Sequence, residues 1–498
     1  MTTVSRGPRE PIGPDRLPGL SALSGHWDEL IGHDGRPRGA ARGLVQRLAD
    51  MGITELRERQ DRAEIDILAM GITFTVYSDG RGIDRAWPFD VIPRVIAAAE
   101  WRRVRAGLVQ RLAALNMFID DVYNERRVIA DGVFPAELLD ESVNFRPECV
   151  GVRPRFGVWA HVCGSDLVRG ADGAMYVLED NLRVPSGVSY MLENRLMSKR
   201  AFGDLFARQS VQPVDDYPER LERMLESLAP EGRTSPNVVV LTPGVYNSAY
   251  FEHCFLARRM GVPLVEGRDL MVDDHDRVFM RTLGGRERVD VIYRRVDDAF
   301  LDPEVFRPDS VLGVPGLMRA WRAGNVGIAN APGAGVADDK VVYAWVPDLI
   351  RYYLGEDPLI ASVPTWRCMY DDERRHVIEN IERLVVKPAN ESGGYGLLIG
   401  DRATRAELDA AVAAIEADPR NWVAQPILSL STVPTLAGDG IAPRHVDLRP
   451  FILSGEDHYV TNGGLTRVAL REGSLIVNSS QGGGSKDTWV VERPAALR

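Results

Sequence analysis

Asp166 and Glu179 lie on either side of a turn signal, and Asn181 follows two residues after Glu179. The flanking runs are Gly164-Ser165-Asp166-Leu167-Val168 and Met175-Tyr176-Val177-Leu178-Glu179-Asp180-Asn181, with Ala171-Asp172-Gly173-Ala174 between them. Asp-Gly between two β-prone runs predicts a hairpin with a two-residue turn. With Asp172 and Gly173 as that turn, Ala171 faces Ala174 and Asp166 faces Glu179. Asn181 then projects from the same face as Glu179. Like charges placed opposite each other weaken a ladder, and Val158, Val168, Val177 and Leu178 mark the sheet as buried, where unpaired carboxylates are costly. A hard divalent cation removes that cost, because carboxylate and amide oxygens suit Mg²⁺, with phosphate oxygens and water completing its shell. Asp166, Glu179 and Asn181 are therefore candidate metal ligands; a surface hairpin with its carboxylates in water is the plain alternative.

A second set of residues suits phosphate. Residues 383–388 read as a strand carrying Lys387 near its end, and 391–396 (Glu-Ser-Gly-Gly-Tyr-Gly) form a glycine-rich loop before a return strand at 397–400. Glycines allow backbone N–H groups to approach phosphate oxygens closely. The loop is not a Walker A motif, which ends in Gly-Lys-Ser/Thr and opens a helix. A lysine at the end of an apolar strand is poorly solvated unless it meets an anion. A metal clamp together with a lysine and glycine loop suits a nucleoside triphosphate held between two β layers.

These devices need elements to position them. Residues 1–25, rich in Pro, Gly and Arg, read as a mobile tail. Apolar residues at helical spacing predict helices over 40–51 and 91–123, and 72–77 alternates like a strand. A helix is expected near 190–209. From 238 to 265 the order strand, turn, helix, strand is βαβ grammar, and 289–293 adds another strand. Ligands gather at the carboxyl ends of such strands, so Tyr246, Asn247, Tyr250, Glu252, His253, Arg294 and Arg295 are candidate substrate-facing residues, each with a local cap or salt bridge as its bland alternative. Asp339-Lys340 opens an apolar stretch. Thr404 with Glu407 forms a capping box for a helix to about 418. A strand at 422–424 leads into Gln425-Pro426-Ile427-Leu428, and a β-rich region containing Asp447 and Arg449 closes the chain.

The 498 residues suffice for about three domains, and a formal net charge of −11 argues against nucleic acid or an anionic membrane as main partner. The four cysteines are dispersed without a Cys-x-x-Cys, which points to a reducing cytoplasm; no signal peptide or membrane-spanning run is visible.

Taken together, these runs resemble the circularly permuted type 2 ATP-grasp family, similar in architecture to glutathionylspermidine synthetase. In ordinary ATP-grasp enzymes the lysines precede the acidic triad, whereas here Asp166…Glu179-Asp180-Asn181 comes before Lys340 and Lys387. The resemblance extends from about 70 to 491. Its most specific runs are 177–195, 385–396 and 479–489. It implies an α+β, circularly permuted ATP-grasp fold with a helical part and metal-binding portion (26–212), a Rossmann-like pre-ATP-grasp α/β domain (213–335) and a nucleotide-binding portion (336–498). It implies ATP and Mg²⁺, with Lys340 and Lys387 on the nucleotide, Gly393, Gly394 and Gly396 as a phosphate lid, and Gln425, Pro426, Ile427 and Leu428 as the adenine hinge. Arg449 resembles the arginine that meets the γ-phosphate, and Arg183 and Ser186 sit where the family binds its acceptor. The hinge has no acidic residue for the ribose hydroxyls. The activity implied is an ADP-forming carboxylate–amine ligase acting through an acylphosphate on small-molecule or peptide substrates. An ATP-binding role within a complex and a phosphotransferase are the alternatives.

Overall fold

The run Val91-Ile92-Pro93-Arg94-Val95-Ile96, expected to be helical, is a strand (Phe89–Ala97), and the helix that follows begins at Ala98 and ends at Tyr123. β-Branched residues favour the pleated backbone, and proline removes a helical hydrogen bond. The strand is buried along almost its whole length. A strand covered on both faces carries a continuous apolar run, without the alternation that distinguishes it from a helix.

The protein, a computed structural model, is described over residues 20, 22–78, 81–206, 208–389, 396–474, 477 and 483–492. Phe89–Ala97 lies at one edge of a 10-stranded sheet. Beside it run, in order, Gly484–Val491, Leu465–Val468, Gly440–Arg449, Val162–Arg169, Met175–Asn181 and Ala361–Ser362. Thr432–Ala437, Phe451–Ser454 and His458–Val460 complete it from the side. Gly484–Val491 is wholly buried despite its Ser-Lys-Asp-Thr start, because each charge is paired: Lys486 with Asp90, and Asp487 with Arg195 at 2.8 Å.

The stretch 336–498 is thus divided between two sheets, its last strands pairing with those of 89–181. Trp366–Arg367, Trp422–Pro426, Leu384–Pro388 and Leu398–Ile399 make a separate four-stranded sheet with its own core, covered by helix Arg405–Ala417, whose Thr404–Glu407 capping box forms as expected. The βαβ segment gives a third sheet in the order Gly327–Ala329, Val291–Arg294, Val238–Leu241, Leu264–Val265, all parallel. A small antiparallel sheet (Leu270–Val272, Val278–Thr282, Gly285–Arg288) was not foreseen from the sequence. Helices Val188–Ala201 and Gly203–Phe206 replace the single helix expected near 190–209. All four cysteines are free, and no helix among the described residues is long and apolar enough to cross a membrane.

A buried ionic cluster fastens the N-terminal segment to the large sheet. Glu29 accepts from Arg94 (2.5 Å), Arg169 (3.0 Å) and Ser431 (2.8 Å). Burial alone would raise the Glu29 carboxyl; Arg169 and Arg94 outweigh it and hold the group below its ordinary range. Its contribution to stability is present above the unfolded carboxylate pKa and is lost as pH falls. Glu29→Ala leaves the buried Arg94 without a carboxylate and Arg169 with Glu100 alone, and a loss of about 3–5 kcal/mol is expected in denaturant unfolding.

Candidate active site

The hairpin Val162–Arg169/Met175–Asn181 brings Asp166 opposite Glu179, though by a different route from the one expected. Its loop is one residue longer: Gly170 and Ala174 close around Ala171–Asp172–Gly173, with Gly173 at φ +81° and the Asp172 carboxylate accepting the Ala174 N–H. Left to itself, that loop would set Asp166 against Leu178. A bulge between Asp166 and Leu167 leaves Leu178 unopposed and restores the Asp166–Glu179 pair.

Asp166 is almost completely buried and is gripped by two arginines. Arg449 donates two hydrogen bonds (2.5 and 2.7 Å) and Arg467 one (2.7 Å). Burial would raise the Asp166 carboxyl, but the two guanidinium groups hold it well below the usual carboxylate range. Strand register explains the second arginine: Arg467 faces Asp447 across the Gly440–Arg449/Leu465–Val468 pair and bonds both aspartates. Glu179 is less enclosed and lies 4.0 Å from Arg449. Its carboxyl is raised by burial and by Asp166, against the pull of Lys340, Lys387 and Arg449. Asn181 commits its amide nitrogen to the Gly164 carbonyl (3.0 Å), so the atom it can offer a cation is Oδ1.

The lysines approach from other elements. Lys340 is the first residue of helix Lys340–Leu354, whose N-cap Asp339 accepts the Val341 N–H and is held by Arg420 at 2.8 Å. Lys387 stands on Leu384–Pro388 and donates to Gln425 Oε1 (2.6 Å), while Gln425 donates to Thr365 (2.9 Å). Burial pushes the Lys387 amine down to about 8, and Lys340 adds to this; Glu179 and Asp166 oppose it. Both lysines thus lie within electrostatic reach of Glu179. Arg183 bridges the hairpin to the segment ahead of Lys340 through Asp338 (2.6 Å) and to the loop after Val291–Arg294 through Asp297 (3.5 Å).

Glu179, Asn181, Arg183 and Asp338 line two adjoining cavities. A small one, about 20 Å³, also touches Lys340 and Tyr343. A larger one, about 440 Å³, opens past Ser186 toward Arg449 and Arg467. Among the hinge residues, Gln425 is buried beside Lys387 and Pro426 pairs with Leu384. The Ile427 N–H bonds the Arg383 carbonyl (3.4 Å), and Leu428 packs against the cluster of Val168, Val363 and Leu430. Gly396, at φ +71°, abuts Pro388. Gly393 and Gly394 lie outside the described residues, as do residues 479–482 and the tail before residue 20.

Several residues expected to face substrate are placed otherwise. Arg294 is buried and spent on Asp298 (2.6 Å) and the carbonyls of Asn330 and Val296, tying one strand end to the next. His253 is buried against Thr242 (2.9 Å), and burial with Arg295 keeps its ring neutral, well below the ordinary histidine range. Glu252 is buried and accepts from Gly187 N–H (2.8 Å), Ser189 N–H (3.0 Å) and Ser189 hydroxyl (2.9 Å), anchoring the start of helix Val188–Ala201. Arg295 joins Glu252 (3.4 Å) to Ser186 (2.6 Å), so of this group only Ser186 lines the larger cavity. Tyr250 packs beside His253, and neither cavity includes it. A strand-end position alone does not say which side chains turn outward. Arg467, Asp338 and Asp297 were missed; an arginine in the buried run Leu465-Thr466-Arg467-Val468 needs a buried acid, and that was the available signal for Arg467.

The sheet order, the hairpin carboxylates and the facing lysines define an ATP-grasp architecture in rotated order. The chain belongs to the circularly permuted ATP-grasp type 2 family, whose sequence model matches residues 93–469. It is 54% identical over 467 residues to an uncharacterized protein of Synechocystis sp., covering 94% of this chain and 97% of that one. It is 44% identical over 468 residues to a Frankia casuarinae protein named Putative glutamate–cysteine ligase 2-2, covering 94% of this chain; the chain spans about half (54%) of that relative. A solved structure of a glutathione synthetase-like effector from Globodera pallida, in apo form, shares the fold with a TM-score of 0.57 at 13% identity, over 88% of this chain and 98% of that one.

Proposed function

We propose that the protein is an ATP- and Mg²⁺-dependent ligase that joins a carboxylate to an amine. One observation carries this reading: Asp166, Glu179 and Asn181 stand on one hairpin within reach of Lys340 and Lys387 from two other elements. Glu179 and Asn181 line both cavities and suit a hard cation, since Glu179 carries charge that burial and Asp166 make costly, whereas Asp166 already accepts from Arg449 and Arg467 on both oxygens and would reach the cation only by sharing them. Bound there, magnesium would offset charge on the phosphates. Lys387 and Lys340 offset charge on the triphosphate from the other side, and Arg449 and Arg183 present guanidinium groups to the larger cavity, where an acid would be oriented.

In this reaction the substrate carboxylate oxygen attacks the γ-phosphorus, the β–γ bridging bond breaks and ADP leaves. The amine nitrogen then attacks the acyl carbon of the acylphosphate, inorganic phosphate departs, and the nitrogen loses a proton. Excluding water protects the acylphosphate from hydrolysis. The name of the Frankia relative supports ligation of an amino acid. The test is ADP release from ATP and Mg²⁺ over a panel of acids, with hydroxylamine as the amine. Release that requires both an acid and Mg²⁺, with formation of a hydroxamate, is expected. ATP binding without ADP release over the whole panel would overturn the ligase reading in favour of a binding role, and a stable phosphorylated product would indicate a phosphotransferase.

A further inference from the structure

The larger cavity changes character along its length. Leu465 and Arg467 project from the same face of one strand, about 7 Å apart at ordinary strand rise. Arg467 reaches the Asp166 end, whereas Leu465 packs on Gly187 at the start of helix Val188–Ala201. Beyond Gly187 the cavity is walled by Tyr190, Trp87 and Phe74. Tyr190 is stacked by Trp87 (3.8 Å, 15°) and by Phe251 (5.6 Å, 23°), and Phe74 meets both Trp87 and Tyr190 edge to face.

The polar tips of this wall are spent elsewhere. The Tyr190 hydroxyl donates to the Thr73 carbonyl (2.9 Å), and the Trp87 indole N–H donates to Asn194 (3.1 Å). Neither ring therefore offers its polar tip to a ligand, and a charged group placed against these described rings would be desolvated at a cost. Cation–π attraction needs an open ring face, and Tyr190, flanked by Trp87 and Phe251, has its faces turned to those neighbours.

We infer that the carboxylate substrate carries a neutral apolar group, aromatic or branched aliphatic, which occupies the Phe74–Trp87–Tyr190 wall while its carboxylate lies toward Arg449 and Arg183. This builds on the ligase reading only in taking the occupant to be the acyl substrate. It also separates this chain's preference from that of an enzyme acting on glutamate, whose second carboxylate would meet the aromatic wall unpaired.

The experiment is calorimetric binding of 3-phenylpropionate and of glutarate to the full chain, saturated with a non-hydrolysable ATP analogue and Mg²⁺. Tighter binding of 3-phenylpropionate, by tenfold or more, is expected. Phe74→Ser, at a half-buried position, should bring the two acids within about threefold. Ser248→Trp, which fills the same cavity from the facing loop, should weaken 3-phenylpropionate by at least tenfold, so the result does not depend on one variant folding. Equal binding of both acids, or a preference unchanged in both variants, would overturn the inference. ADP formation is read separately: its absence counts against the ligase reading, while the binding preference still decides this one.

Discussion

Glu179→Gln is expected to lower Mg²⁺- and acid-dependent ADP formation by about 10²–10³-fold, while the protein unfolds at or above the wild-type temperature. The two halves of this expectation have one origin. Burial and the facing Asp166 raise the Glu179 carboxyl, so its ionised form is disfavoured in the folded protein without a cation. For an acid with a raised native pKa, stability declines as pH rises from the unfolded toward the folded value, and the penalty stays in place above it. Glutamine keeps the shape and removes the penalty, but it also removes an anionic oxygen that the proposed metal site needs. Activity in a coupled ADP assay and melting followed by circular dichroism check the pair. Undiminished turnover would remove Glu179 from the metal site.

Lys387→Met should behave similarly from the other wall. Its amine is pushed down to about 8 by burial and by Lys340, against an ordinary value of 10.5. Between those two values the unfolded chain binds more protons than the folded one. The penalty from this lysine is therefore full below pH 8 and fades as pH rises toward 10.5. Methionine removes the charge and keeps the stem, so the variant should be more stable than wild type at pH 7, by about 2 kcal/mol, with the difference shrinking above pH 8. The same change leaves the triphosphate facing Glu179 with one cation fewer, and an increase of about a hundredfold in the dissociation constant of ATP–Mg²⁺ is expected, about 2.7 kcal/mol. Urea unfolding at pH 7 and pH 9.5, with calorimetry for the nucleotide, measures both effects. A destabilised variant that still binds ATP normally would show that Lys387 is a structural lysine at a strand end.

Why some of this was readable from the chain, and some not, is clearest at the hairpin. The opposition of Asp166 and Glu179 was legible because β-strands alternate with period two and Asp-Gly marks a turn. The turn itself was misjudged, and only the bulge at Leu178 rescued the register. A bulge depends on how the strand must bend to meet its neighbours, and Phe451–Ser454 and Gly440–Arg449 both pair with the far side of Val162–Arg169. The Val91–Ile96 error has a similar cause, since a strand buried on both faces does not alternate. Arg294, His253 and Glu252 were placed near the right sheet but on the wrong side of the boundary between interior and cleft: Arg294 closes the local salt bridge to Asp298 that was its bland alternative, His253 meets Thr242 at the preceding strand end, and the partners of Glu252, Gly187 and Ser189, lie far away in sequence.

Local chemistry was determined by the sequence alone: the carboxylate pair on one hairpin, the lysine at the end of an apolar strand, the Thr404–Glu407 helix start, and the βαβ order of the central segment. Each follows from residue type and short-range periodicity. Tertiary structure alone decided that the last strands return to pair with 89–181, that Arg467 joins Arg449 on Asp166, and that Phe74, Trp87 and Tyr190 face the cavity beyond Ser186. Those outcomes rest on burying apolar area and pairing charges between segments separated by tens to hundreds of residues. Such closure is governed by the whole chain's packing, which short-range residue patterns do not encode.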